Sequence, residues 1–111
     1  MKKELIINAL FFIIDNLRNR GVWGGRHTAI YNLAKGMPSW LTQNKEGKKA
    51  INEAIKLGLN KGFLRAKKST QELHFSLNSS MSKEILAFLA KAERFARNNE
   101  CFEELCRELG L

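Results

Sequence analysis

Lys45, Lys48, Lys49, Asn52 and Lys56 follow one another at intervals of one, three or four residues. Ammonium groups and a side-chain amide in that pattern suit one chemistry. Lysines neutralise phosphate oxygens, and an amide pairs in bidentate fashion with adenine. At about 100° per residue on a helix, the five fall within an arc of about 100°. Ala50, Ile51, Ala54, Ile55 and Leu57 take the other side, with Glu53 at the flank of the basic stripe. A solvated helix normally mixes signs, with Glu and Lys four apart. A stripe of nearly one sign repels itself unless it meets an anion. The excess is also local: residues 45–68 hold eight basic and two acidic side chains, +6 of the chain's +8.

A second basic group follows. Arg65, Lys67 and Lys68 cluster where the pattern predicts a hairpin, and Ser69 and Thr70 can donate to phosphate oxygens. A basic tip suits a minor groove, whose width and negative potential attract Arg and Lys. The plainer reading is an edge hairpin that uses lysine against aggregation. Double-stranded DNA is therefore the expected partner. RNA is an alternative, because a phosphate-directed surface does not by itself tell the polymers apart. A protein-interaction module of a larger assembly is another.

Other chemistries find little support. The chain carries no Gly-rich phosphate loop, nucleophile elbow, paired-carboxylate motif or metal signature, so neither an enzyme nor a cofactor is expected. His27 and His74 are lone and lack ligand spacing. Cys101 and Cys106, five apart, fall on different faces of a helix, which disfavours a local disulfide and suits free thiols in a reducing cytoplasm. Lys2 and Lys3 precede an apolar run, Leu5–Ile14, that is too short for a bilayer and lacks a cleavage site. No membrane partner is expected.

The elements that must position these groups are read from periodicity. At 111 residues, 44% apolar and 27% charged, the chain is expected to fold as one soluble domain. A helix over residues 2–19 is apolar nearly all round, which calls for cover on every side. Val22 and Trp23 suggest a short strand between glycines. A second helix is expected over 27–35, capped by Thr28, with an apolar stripe of Ala29, Ile30, Leu33 and Ala34. Gly36 and Pro38 stop it. A connector over 37–46 has Ser39–Gln43 as one helical turn and Trp40 and Leu41 against the core.

The basic helix then runs from Lys45 or Gly47 to Asn60. Residues 63–67 and 72–78 form the hairpin, with Leu73, Phe75 and Leu77 alternating against an outward His74 and Ser76. Lys68–Gln71 lacks the Asn-Gly signature of a tight turn, so a longer, looser loop is expected. Ser80 or Ser82 caps a helix over 82–98, striped by Ile85, Phe88, Leu89, Ala92, Phe95 and Ala96. A last short helix carries Phe102, Leu105, Cys106 and Leu109.

The order helix, short strand, helix, helix, hairpin resembles a winged helix-turn-helix domain. The run Ala50–Leu64, with its trailing Lys61-Gly62-Phe63-Leu64, looks like that family's third helix turning into the wing. Ile30–Met37 is similar to its second helix, and Leu73–Leu77 to the second wing strand. The match spans about residues 3–78. It implies a mainly α fold with a small β-hairpin: a winged-helix domain over 1–80 and a C-terminal helical extension over 81–111.

Small prokaryotic regulators, including archaeal and viral ones, often look like this. The resemblance implies transcriptional regulation, with Lys48, Lys49, Asn52 and Lys56 in the major groove and Arg65, Lys67 and Lys68 on the flanking backbone. Gly58 stands where the family carries a large apolar residue. That implies a bend or early end of the helix, with Leu59 turned inward instead. The connector after Pro38 is also longer than the family's usual turn. The position of the extension implies a homodimer, in which Phe88, Phe95, Phe102 and Leu105 pair with the first helix of a partner.

Overall fold

The computed structural model describes residues 2–29, 32–33, 35–69 and 71–111, with Ser69 described by its backbone alone. Helix α1 spans Lys3–Asn19. Strand β1 is Thr28–Ala29, and one helical turn, α2, covers Ser39–Thr42. The basic helix is α3, Lys45–Asn60. Strands β2 (Leu64–Ser69) and β3 (Glu72–Leu77) form the hairpin. A 3₁₀ turn at Ser79–Met81 leads into α4, Ser82–Asn98, and α5 is Phe102–Leu109. The described chain is thus mainly helical with one small antiparallel sheet.

Most of the first helix is covered within its own chain. Ile6, Ile7, Ala9, Leu10, Ile13, Ile14 and Leu17 are buried, and Leu5, Phe11 and Phe12 are half-buried. α3, α4, β3 and α5 all pack against it. One hydrophobic cluster runs from α1 through α3 and the hairpin base to α4 and α5. Phe88, Phe95 and Leu105, expected to meet a partner, are buried in this cluster, and Phe102 packs on Phe95 at 5.5 Å. The C-terminal helices close the core of their own chain, because an amphipathic stripe buries against the nearest apolar surface.

The sheet has a strand more than the hairpin predicted, in the order β1-β3-β2. Thr28 pairs with Phe75 and Ala29 with His74. Thr28 is therefore a strand residue and not a helix cap. Its β-branched side chain is buried, and its Oγ1 accepts from the Asn32 side-chain amide at 3.1 Å. Of the helix expected over 27–35, Asn32 and Leu33 are helical, while Ile30, Tyr31 and Ala34 lie outside the described residues. In place of the short strand expected at Val22 and Trp23, Trp23 alone makes an isolated parallel bridge to Leu77.

The hairpin register runs from Leu64↔Leu77 to Ser69↔Glu72, leaving two residues at the tip. The loop is shorter than expected. Register is set at the buried base, where Leu64, Phe75 and Leu77 are fixed in the core, and pairing continues outward from there. Ser76 is buried although it alternates with core residues, and the exposed Leu73 lies beyond the core's reach.

Three further expectations are corrected. Trp40 is 49% exposed and lies edge-on to Phe12 at 6.3 Å, whereas Leu41 is fully buried. Neither Ser80 nor Ser82 caps α4; the Asn78 side chain accepts from the Ser80 N–H and caps the 3₁₀ turn before it. Ala96, placed on the apolar stripe, is exposed. The end of α4 comes at Asn99, in the left-handed region at φ 59°.

Candidate nucleic-acid interface

α3 begins where Asn44 makes it begin. Asn44 Oδ1 accepts from the Gly47 N–H at 2.6 Å, and its Nδ2 donates to the Trp40 carbonyl. One side chain thus satisfies a free helix-start donor and ties α3 to α2. Gly47 is needed for the same junction: a Cβ there would sit 1.9 Å from the Leu41 carbonyl oxygen. The angle at which the basic helix leaves α2 is set by this backbone approach.

The buried side of α3 is lined by Gly47, Ala50, Ala54, Ile55 and Gly58. Small residues let the helix lie close on α1. At Gly58 the core comes up to the backbone, since a Cβ would meet Leu64 Cδ1 at 2.6 Å and Leu10 Cδ1 at 3.3 Å. This corrects the expectation drawn from that glycine. The helix continues through Gly58 to Asn60, and Leu64 fills the space that a large side chain would take. Leu59 stays outside, 37% exposed.

The opposite side carries the charges. Lys45, Lys48, Lys49, Asn52 and Lys56 are all exposed, so the structure brings the five together on one face as their spacing predicted. Lys56 holds Glu53 at 3.6 Å. Among the described residues, Lys45, Lys48 and Lys49 form no ion pair, and Asn52 makes no side-chain hydrogen bond within the chain.

The hairpin divides its cations between two faces. Register places Arg65 opposite Ser76, Lys67 opposite His74, and Lys68 opposite Leu73. Alternation puts Arg65 and Lys67 on one face and Lys68 on the other, beside the 52% exposed Leu73. The three do not form a single cluster at the tip. Thr70 and the Ser69 side chain lie outside the described residues. His74, expected to have no partner, is half-buried with Nε2 3.3 Å from Glu72 Oε2.

Three cations of α4 are paired within the chain. Lys91 on α4 pairs with Glu104, at 3.3 Å, and with Glu108. Arg94 pairs with Glu100 at 3.4 Å and Arg97 with Glu93 at 3.0 Å. The hydrogen bond to Glu108 holds Lys91 above the ordinary lysine pKa against a lowering by burial, with Glu104 adding to the rise. Cys101 and Cys106 are free and half-buried. Among the described residues no group of His, Cys, Asp and Glu has the arrangement of a metal site, and no helix is long and apolar enough to cross a membrane.

Sequence reasoning missed Asn44 and Trp40. Asn44 carried a signal, being a favoured cap residue immediately before the helix. Trp40 carried none, since its exposure depends on how α2 lies on α1. No family model, curated protein or solved structure matches this chain.

Proposed function

We propose that this chain binds double-stranded DNA as a winged helix-turn-helix regulator, with α3 in the major groove and the hairpin on the flanking backbone. The observation that carries this reading is the contrast between paired and unpaired cations. α4 has three of its cations in ion pairs, whereas Lys45, Lys48, Lys49, Arg65, Lys67 and Lys68 have none among the described residues. Cations left unpaired together on a helix face and the adjoining hairpin form the electrostatic footprint of a phosphate-binding surface. The sheet order, with a short first strand beside a two-stranded wing, supports the winged reading. Asn52, free amid the lysines, is the residue for a base edge.

Anisotropy titrations against random duplex DNA, single-stranded DNA and RNA over a range of salt test the proposal. Tight binding to duplex is expected, weakening steeply with salt. Lys48→Ala with Lys49→Ala is expected to weaken binding and to flatten the salt slope by about 2, one unit for each ammonium group withdrawn from a phosphate. A folded protein that ignores duplex at low salt overturns the reading. A preference for RNA moves the same surface to the other polymer.

A further inference from the structure

We infer that α1 carries a self-association face, and that a second copy of this chain packs on it antiparallel, α1 against α1. Glu4, Asn8, Phe11, Asp15 and Arg18 are spaced four, three, four and three apart. That is the 3.5-residue repeat which keeps side chains in line along a helix meeting another helix. The line is accessible although Ile6, Ile7, Ala9, Leu10, Ile13, Ile14 and Leu17 are buried: Glu4 and Arg18 are exposed, and Asn8, Phe11 and Asp15 are half-buried.

Apolar surface flanks the line on both sides. Phe12 meets Phe11 at 5.5 Å and Trp40 at 6.3 Å, both edge-on. On the other flank the 47% exposed Leu86 shares a groove with Phe11, Asp15, Arg18 and Glu93. Leu86, Phe11, Phe12 and Trp40 thus form one ridge across α4, α1 and α2.

The charges along the line select the occupant. In a two-fold interface, residue i meets j and j meets i. Antiparallel pairing about Phe11 sets each residue against the one equally far on the other side. Glu4 then meets Arg18, Arg18 meets Glu4, and Phe11 meets itself. Asn8 comes beside Asp15, whose carboxylate has acceptor capacity beyond the Asn19 amide it already holds at 3.4 Å. Neither Glu4 nor Arg18 has an ion pair within the chain among the described residues.

A parallel pairing would instead set Glu4 on Glu4 and Arg18 on Arg18. A chain of net charge +8 repels its own copies on its basic surfaces. This face carries two acids against one base and escapes that repulsion. With Phe11 and Phe12 half-buried and Trp40 and Leu86 about half exposed, the ridge contributes about 300 Å² per copy, below the range of stable interfaces even with a polar rim, and predicts a weak, reversible dimer.

Sedimentation equilibrium of the full chain without nucleic acid, from low micromolar to several hundred micromolar, decides the matter independently of DNA binding. A monomer–dimer equilibrium is expected. Phe11→Glu is expected to abolish it, with Leu86→Glu as the second variant should Phe11→Glu fail to fold by circular dichroism. Glu4→Arg and Arg18→Glu are each expected to weaken the dimer by about tenfold, because the two-fold makes each reversal count twice. Glu4→Arg combined with Arg18→Glu is expected to restore it to within about threefold of the parent. A wild-type chain that stays monomeric overturns the inference. So does a dimer untouched by the folded Phe11→Glu or Leu86→Glu, or a charge-reversed pair that fails to restore association.

Discussion

Gly47 and Gly58 both sit inside α3, where propensity alone favours replacing either by alanine, by about 1 kcal/mol. Their surroundings separate them. At Gly47 the new methyl meets a backbone carbonyl of α2, which cannot move without shifting the helix junction. Gly47→Ala is expected to destabilise the fold by about 2–4 kcal/mol and to disturb the start of the basic helix. At Gly58 the methyl meets Cδ1 and Cγ of the buried Leu64, a side chain that must shift within the packed core. Gly58→Ala is expected to cost about 1–2 kcal/mol, less than Gly47→Ala, because a side chain yields where a backbone carbonyl does not. Urea titrations of the two variants check both values. Asn44→Ala, which removes the cap, is expected to cost about 1 kcal/mol by the same measurement. The need for Gly47 was not legible in the sequence, because the atom it admits, the Leu41 carbonyl, comes from another helix.

At the scale of elements, periodicity carried α3 well. A mean spacing near 3.6 separates Lys48, Asn52 and Lys56 from Ala50, Ala54 and Ile55, and burial follows that division. It carried less where the fold depends on distant partners. Thr28 and Ala29 look helical in isolation, yet the edge of β3 claims them. The apolar girth of α1 called for cover on every side; four elements of the same chain supply most of it and leave one line of side chains at the surface. The hairpin register yields a prediction that clustering by sequence would not. Arg65 and Lys67 share a face and Lys68 lies opposite. Arg65→Ala and Lys67→Ala should therefore weaken duplex binding to similar extents, and Lys68→Ala to a different one, in the same anisotropy titrations.

α4 and α5 are joined by Lys91, whose pKa is raised by Glu108 and Glu104. A raised lysine stabilises fully below its unfolded pKa, and the effect is lost as pH climbs through the folded value. Thermal melts of the parent and Lys91→Met should therefore differ at neutral pH. They should converge under alkaline conditions above the ordinary lysine range.

For the whole molecule, position matters more than the total of charge. Nineteen basic residues against eleven acidic ones would make an indiscriminate polycation if they were scattered evenly. Instead Glu104 and Glu108 on α5 answer Lys91, and Glu100, just before α5, answers Arg94, so the C-terminal segment offsets cations of α4. Truncation after Asn99 would remove those carboxylates, together with the buried Leu105 and Leu109, and leave Lys91 and Arg94 unanswered. In the intact chain the unanswered cations stay concentrated on α3 and the hairpin, so under the proposed reading an approaching duplex is steered toward those elements before it touches them.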